Sequence, residues 1–228
     1  MMDLTKEQML QMMDVAMLEP TTTLAQVRGL AESAVKEDYG FICVHSLHVK
    51  PCAEVLQGTA PKIVACVGFP MGIVKTGAKV LEVEYSLADG AAEIDMVLNL
   101  GAFLGGDTKF AEQDICEVVK AAGGKPVKVI IETPYLTRAQ KAAASRLAQN
   151  AGAAFVKTCT GFSPDPLALF EDVRLIRQTV GPQMGVKAAG RMRNYHRFIS
   201  MVEAGANRVG LSLSGARETV RGWEEAHR

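Results

Sequence analysis

An α/β chain closed into a (β/α)8, or TIM, barrel is the fold this sequence predicts, on three observations. Short apolar runs alternate with segments of helical period from one end to the other. The runs are apolar on both sides, as strands of a parallel sheet covered on both faces must be. Eight strand-plus-helix units of roughly 28 residues each account for a chain of 228 residues. An open doubly wound sheet is the competitor, but no GxGxxG or P-loop sequence follows the first strands, so the closed barrel is preferred.

The strands are predicted at 13–18, 41–44, 63–67, 93–98, 127–132, 154–158, 185–188 and 208–211, each an apolar run of strand length. Amphipathic segments between them predict helices at 24–37, 74–89, 108–122, 138–151, 166–180 and 195–204. Asp107 and Thr137 stand where N-caps belong, and Ser163-Pro164-Asp165-Pro166 offers a cap followed by a proline near the first turn. Gly40, Gly90, Gly152 and Gly205 sit where helices should stop. With no linker, low-complexity tract or shift of composition, residues 1–228 are expected to form one domain.

Hydrophobic residues make up 48% and charged residues 22%, with zero formal charge, which argues against disorder, a nucleic-acid partner or an anionic membrane surface. Cys43, Cys52, Cys66, Cys116 and Cys159 show no CxxC spacing and read as reduced thiols. The four histidines form no HExxH or other ligand-spaced cluster, so no metal and no other cofactor is expected. The acidic N-terminus lacks a signal-peptide core and no apolar stretch is long enough to span a bilayer, which predicts a soluble, cytoplasmic protein.

A barrel gathers the C-terminal ends of its strands around one mouth, so polar residues that end apolar runs converge there. That rule selects Asp14, Cys43, Asp95, Lys128 with Glu132, Lys157 and Lys187. Lys157 closes the run Ala154-Phe155-Val156 against the turn Thr158-Cys159-Thr160-Gly161. A buried ammonium needs a carboxylate partner or must give up its proton, and a neutral lysine attacks carbonyls to form a Schiff base. Lys187 repeats the pattern one unit later, close enough to repel Lys157, and the repulsion is expected to hold one amine neutral while Asp95 moves protons. A purely structural salt-bridge triad would use the same residues. Gly190-Arg191-Met192-Arg193 and Gly210-Leu211-Ser212-Leu213-Ser214-Gly215 are read as loops where barrels bind phosphate.

These residues carry a resemblance. Gly68-Phe69-Pro70-Met71-Gly72, Glu93-Ile94-Asp95-Met96-Val97, Val127-Lys128-Val129-Ile130-Ile131-Glu132-Thr133, Phe155-Val156-Lys157-Thr158-Cys159-Thr160-Gly161-Phe162 and Gly185-Val186-Lys187-Ala188 follow one another as in the deoxyribose-phosphate aldolases, which the chain resembles nearly end to end. The resemblance implies a metal-independent class I aldolase, a lyase joining acetaldehyde to glyceraldehyde 3-phosphate or reversing that reaction. It implies Lys157 as the Schiff-base lysine, Lys187 as the lysine that tunes it, and Asp95 in the proton relay. Asp14, Cys43, Thr160, Gly190, Arg191, Arg193, Gly210, Ser212 and Ser214 are then expected around a small sugar-phosphate or aldehyde substrate, and a homodimer is expected from the family habit.

Departures gather where the far end of the substrate would lie. The family's first-strand motif commonly reads Asp-His-Thr-Leu-Leu-Lys-Pro, against Asp14-Val15-Ala16-Met17-Leu18-Glu19-Pro20 here. Cys43-Val44 leads to His45-Ser46 in place of Asn-Pro, Gly190 is followed by Arg191 in place of a second glycine, and Ser212-Leu213-Ser214-Gly215 replaces Ser-Ser-Gly. An arginine at 191 could grip an anion bidentately or block it from backbone amides. A Schiff-base aldolase for a different or unphosphorylated substrate, and a non-catalytic ligand-binding barrel, are the alternatives that stay open.

Overall fold

The computed structural model describes residues 4–165, 167 and 169–228. In chain order its elements are α1 (Lys6–Gln11), β1 (Met13–Met17), α2 (Leu24–Lys36), β2 (Phe41–His45), α3 (Val49–Leu56), β3 (Lys62–Val67), α4 (Thr76–Ala88), β4 (Glu93–Val97), α5 (Leu100–Leu104) and α6 (Thr108–Ala121). They continue with β5 (Val127–Ile130), α7 (Arg138–Asn150), β6 (Phe155–Lys157), α8 (Phe170–Val180), β7 (Gly185–Ala189), α9 (Tyr195–Glu203), β8 (Arg208–Ser212) and α10 (Leu213–Ala226). The strands pair in parallel in sequence order and β1 closes on β8, giving the predicted barrel.

Alternation along each strand sorts side chains into two cores. Ile42, Ile94, Met96, Val129, Val156 and Val186 belong to the large cluster that the helices cover. Each such side chain contributes about 1.5–3 kcal/mol on burial. The barrel interior is different: a small cluster of Leu18, Cys43, Val64 and Cys66 stands near the mouth, and charged side chains fill the rest. The polar inside is therefore a cost that the apolar outside carries, and it is where function must be sought.

Local signals explain most boundaries. Thr137 and Gln140 form the capping box of α7, and Asp107 accepts the amide of Phe110 at the start of α6, as predicted. Gly90, Gly152 and Gly205 take positive φ where their helices end. At the fourth joint the left-handed residue is Asp38, with φ 57°. Gly40 is needed there for closeness, since a Cβ would stand 2.9 Å from the Gln11 side chain.

Four readings are corrected. The proposed cap at Ser163 does not start α8, which begins at Phe170 with Leu169 at its cap, and Pro166 lies outside the described residues. The fifth strand stops at Ile130, because Glu132 turns left-handed at φ 55° and leads into a short 3-10 turn. Val49–Leu56 is a helix that the sequence reading passed over. The loop expected through Gly215 is helix from Leu213 onward, while Gly210 belongs to β8.

Candidate active site

The register that closes the barrel sets Lys157 opposite Lys187 and Asp95 opposite Lys128. Because these residues occupy inward positions, their side chains meet on the axis. Lys157 Nζ donates to Asp95 Oδ2 at 2.8 Å, and Lys187 Nζ reaches the same oxygen at 2.6 Å. Lys187 Nζ also lies 2.5 Å from Asp14 Oδ2. The other Asp95 oxygen is 3.0 Å from Lys128 Nζ, which stands 2.5 Å from Glu93 Oε2. Arg208 closes the floor, with Nε 2.7 Å from Asp14 and Nη2 3.0 Å from Glu93, its guanidinium stacked on Phe41.

Among the described residues this network holds four cations, Lys128, Lys157, Lys187 and Arg208, against three carboxylates, Asp14, Glu93 and Asp95. All are buried. One proton too many is thus present when every lysine is charged, and the network balances when one amine is neutral. Lys187 is pinned by two carboxylates and Lys157 by one, so Lys157 is the amine that can release its proton at the smaller cost.

The resting site does not hold one of the two amines neutral, as their repulsion was expected to do: both lysines are held toward the charged form. Burial and the Lys187 charge pull the Lys157 ammonium down, but the Asp95 carboxylate together with Cys43 and Cys66 outweighs them, and the Lys157 pKa is raised. For Lys187 burial also acts downward, and Asp14 with Asp95 reverses it by a wide margin. Burial works against the Asp95 charge, yet Lys128, Lys157 and Lys187 hold that carboxyl well below its ordinary range. Repulsion between the amines is overcome because both, and not one alone, bond the same Asp95 oxygen.

Above this floor opens a cavity of about 320 Å3. Of the residues expected from sequence, Asp14, Cys43, Thr160, Gly190, Arg191, Arg193, Gly210 and Ser212 line it together with Lys157 and Lys187. Asp95 lies beneath them, fully buried. Ser214 is not in the lining: it stands in the first turn of α10, its Oγ 3.1 Å from Ser212 Oγ. Ser212 caps that helix by accepting the Gly215 amide, so the N-terminus of α10 begins at a residue that lines the cavity with Arg193. Arg191 holds a left-handed φ of 50° with Nη1 3.8 Å from Asp165, leaving its guanidinium at the mouth.

Several members of the site were not read from the sequence. Glu19 and Met192 join the lining, Cys66 lies 3.6 Å from Cys43, and the Phe69 ring sits 5.9 Å from Lys157 Nζ. The hydrogen bond from Cys66, aided by Lys187, lowers the Cys43 thiol against the effect of burial. Glu132, selected by the mouth rule, does not touch the lysines; both its oxygens accept the Thr160 amide, at 3.1 and 3.2 Å. Arg208 and Glu93 carried a readable signal, a charge at the first position of an apolar run.

A family model for "DeoC/LacD family aldolase" matches residues 1–214. The chain belongs to the DeoC/LacD aldolases. The deoxyribose-phosphate aldolase of Thermococcus gammatolerans is 47% identical over 204 residues, covering 88% of this chain and 90% of that protein. That of Coprothermobacter proteolyticus is 45% identical over 90% of this chain and 93% of its own. Among solved structures, an aldolase designated QR15 superimposes with a TM-score of 0.90 at 33% identity, over 96% of this chain and 97% of its own. A deoxyribose phosphate aldolase from Aeropyrum pernix, described as a unique tetramer, gives 0.89 at 26% identity, over 97% and 93%. As a DeoC/LacD aldolase the protein is a lyase of the class I type, in which a lysine Schiff base serves the making or breaking of a carbon–carbon bond. Among the described residues no helix is long and apolar enough to cross a membrane.

Proposed function

We propose that residues 1–228 form one aldolase domain that cleaves 2-deoxy-D-ribose 5-phosphate to acetaldehyde and D-glyceraldehyde 3-phosphate, and joins them in reverse, through an imine on Lys157. The observation that carries this reading is the single Asp95 oxygen shared by Lys157 at 2.8 Å and Lys187 at 2.6 Å. Lys157, in its neutral form, adds to the substrate aldehyde and water leaves, giving an iminium. The hydroxyl on the third carbon then loses its proton, the bond between the second and third carbons breaks, and its electrons flow into the iminium to make an enamine. Protonation of the enamine and hydrolysis free acetaldehyde and Lys157.

Proton traffic falls to Lys187 and Asp95, with Asp14 holding Lys187 in place. Cys43 and Thr160 shape the wall beside the reacting carbons. Arg191 and Arg193, the turn at Gly190 and the first turn of α10 behind Ser212 suit a phosphate, by charge and by free amides. At Gly210 a Cβ would stand 3.2 Å from Ala189 and 3.5 Å from the Lys187 side chain, which explains the small residue there.

Incubation with acetaldehyde and borohydride, followed by peptide mass mapping, is expected to place an ethyl group on Lys157. Deoxyribose 5-phosphate is expected to be cleaved in strong preference to deoxyribose. An unlabelled Lys157, under conditions that label a control aldolase, would reject the mechanism. Equal rates with the two sugars would reject the phosphorylated substrate.

A further inference from the structure

Phe69, whose ring lies over Lys157 Nζ at 5.9 Å, stands on the loop just past β3. Its neighbour Gly68 turns left-handed at φ 61°, so the chain leaves the sheet at that point. The ring is half-buried and meets two others edge to face, His45 at 5.5 Å and Phe162 at 5.4 Å. His45 ends β2, and Phe162 follows the Lys157 strand. Residues at the ends of three strands therefore build one aromatic wall beside the nucleophile.

Glu82, on α4, ties two of these three strand ends together from behind. Its Oε2 accepts the Gly68 amide at 2.7 Å, and its Oε1 accepts the Ser46 hydroxyl at 2.7 Å. Gly68 precedes Phe69 and Ser46 follows His45, so one carboxylate fixes the backbone beside both rings. Hydrogen bonds to an ionised acceptor are short and roughly twice as strong as neutral ones. Lys79, one turn earlier on the same face of α4, packs against the same glycine: a Cβ at Gly68 would stand 3.0 Å from its side chain. Glu82 is absent from the lining of the lysine cavity, so whatever it does for the reaction passes through the loops it holds.

We propose that Glu82 is a positioning residue for the carbon–carbon reaction, locking the Phe69 wall that sets the Lys157 amine for attack on the aldehyde. The inference rests on the reading of Lys157 as the Schiff-base lysine, and it adds a residue that touches neither that lysine nor the substrate. A lysine carries its amine on a flexible four-carbon stem. Once Lys157 gives up its proton, the pull of Asp95 weakens, and the ring still bounds the amine on one side. The side left open is the cavity, where the aldehyde carbon arrives. Misplacing a reacting group by about 1 Å costs on the order of 10²-fold in rate. Gly190, Arg193 and Ser212 stand at the ends of β7 and β8, across the mouth from β3. A loosened wall therefore impairs the chemical step and leaves phosphate binding in place.

The test compares kcat and KM for deoxyribose 5-phosphate cleavage in wild type, Glu82→Ala, Glu82→Gln, Phe69→Leu and Glu82→Ala/Phe69→Leu. Glu82→Ala is expected to lower kcat by about tenfold or more while KM stays within about twofold. Glu82→Gln keeps an oxygen for the Gly68 amide and offers an NH2 to the Ser46 oxygen, and is expected to regain most of kcat. The double variant is expected to be no slower than Phe69→Leu, because without the ring the link has nothing to place. A Glu82→Ala kcat within about twofold of wild type overturns the proposal, as do a KM that rises in step with the fall in kcat, a Glu82→Gln variant as slow as Glu82→Ala, and losses that multiply in the double variant. If Glu82→Ala does not fold, Ser46→Ala, which cuts one of the two bonds, carries the same test: a lower kcat at constant KM supports the proposal and an unchanged kcat overturns it. These outcomes bear on Glu82 alone, whereas absence of borohydride trapping on Lys157 in the wild type overturns the reading beneath.

Discussion

Asp95 decides what each lysine can do, and its replacement separates two roles. Burial and the Lys187 charge favour release of the Lys157 proton, while the Asp95 carboxylate, with Cys43 and Cys66, favours retention and prevails. With retention prevailing, adduct formation by wild type is expected to climb with pH into the alkaline range. Asp95→Asn removes the largest contribution that favours the ammonium, while Asp14 still keeps Lys187 charged. The Lys157 pKa must then fall. Borohydride trapping, followed by mass spectrometry across pH, is expected to shift toward lower pH in the variant. Turnover is expected to drop by roughly 10²–10⁴-fold as the relay is lost. A trapping profile that stays in place or moves to higher pH would show that Asp95 does not control the nucleophile. The lysines and Asp95 were legible because charge at the end of an apolar strand is unusual; the direction of the shift was not, since it depends on an oxygen shared across three strands.

Elements were legible in proportion to how much of their signal was local. The strands read clearly because their helix-facing positions are apolar and their runs are short, even though inward positions carry charge, and Asp107 and Thr137 announced their helices through caps. Helix α3 has no side-chain cap and carries Pro51 in its first turn, so it reads as a break. The start of α10 reads as a turn because Ser212, Ser214 and Gly215 are turn residues. Gly215 is there for another reason: a Cβ would stand 2.5 Å from the Met192 carbonyl oxygen. No sequence period reveals the link between α4 and α6. Lys79 Nζ lies 2.5 Å from Asp114 Oδ2 and donates to the Val97 carbonyl at 3.0 Å, with both side chains fully buried. Lys79→Met leaves Asp114 charged and unpaired, and is expected to lower unfolding free energy by about 3–5 kcal/mol. The double variant Lys79→Met/Asp114→Leu is expected to recover most of that loss in denaturant titration. A single-variant cost below about 1 kcal/mol would mean the pair is not what ties these helices together.

At the scale of the molecule, the barrel covers its strands but leaves one helix with an apolar outer stripe. On α4 the exposed positions Gly77, Ala78, Leu81, Tyr85 and Ala88 recur at helical spacing, with Leu81 52% and Tyr85 70% exposed. Leu47, which is 78% exposed, lies on the turn that packs against the same helix. An apolar stripe of this extent on a chain of zero net charge favours self-association. We propose a homodimer in which α4 of one copy meets α4 of the other, since a two-fold axis brings the same patch to itself and Gly77 and Ala78 allow the backbones to approach. Obligate interfaces bury about 2,000 Å2 or more, so Leu47, Leu81 and Tyr85 would form the centre of the contact and not its whole. Charges placed at that centre are desolvated without partners, and two per copy outweigh a modest interface. Sedimentation velocity is expected to show a dimer for the wild type and a monomer for Leu81→Asp/Tyr85→Asp. Because the stripe faces away from the lysine cavity, the monomer is expected to retain borohydride labelling at Lys157. A wild-type monomer at micromolar concentration, or a double variant that sediments as a dimer, would rule this interface out.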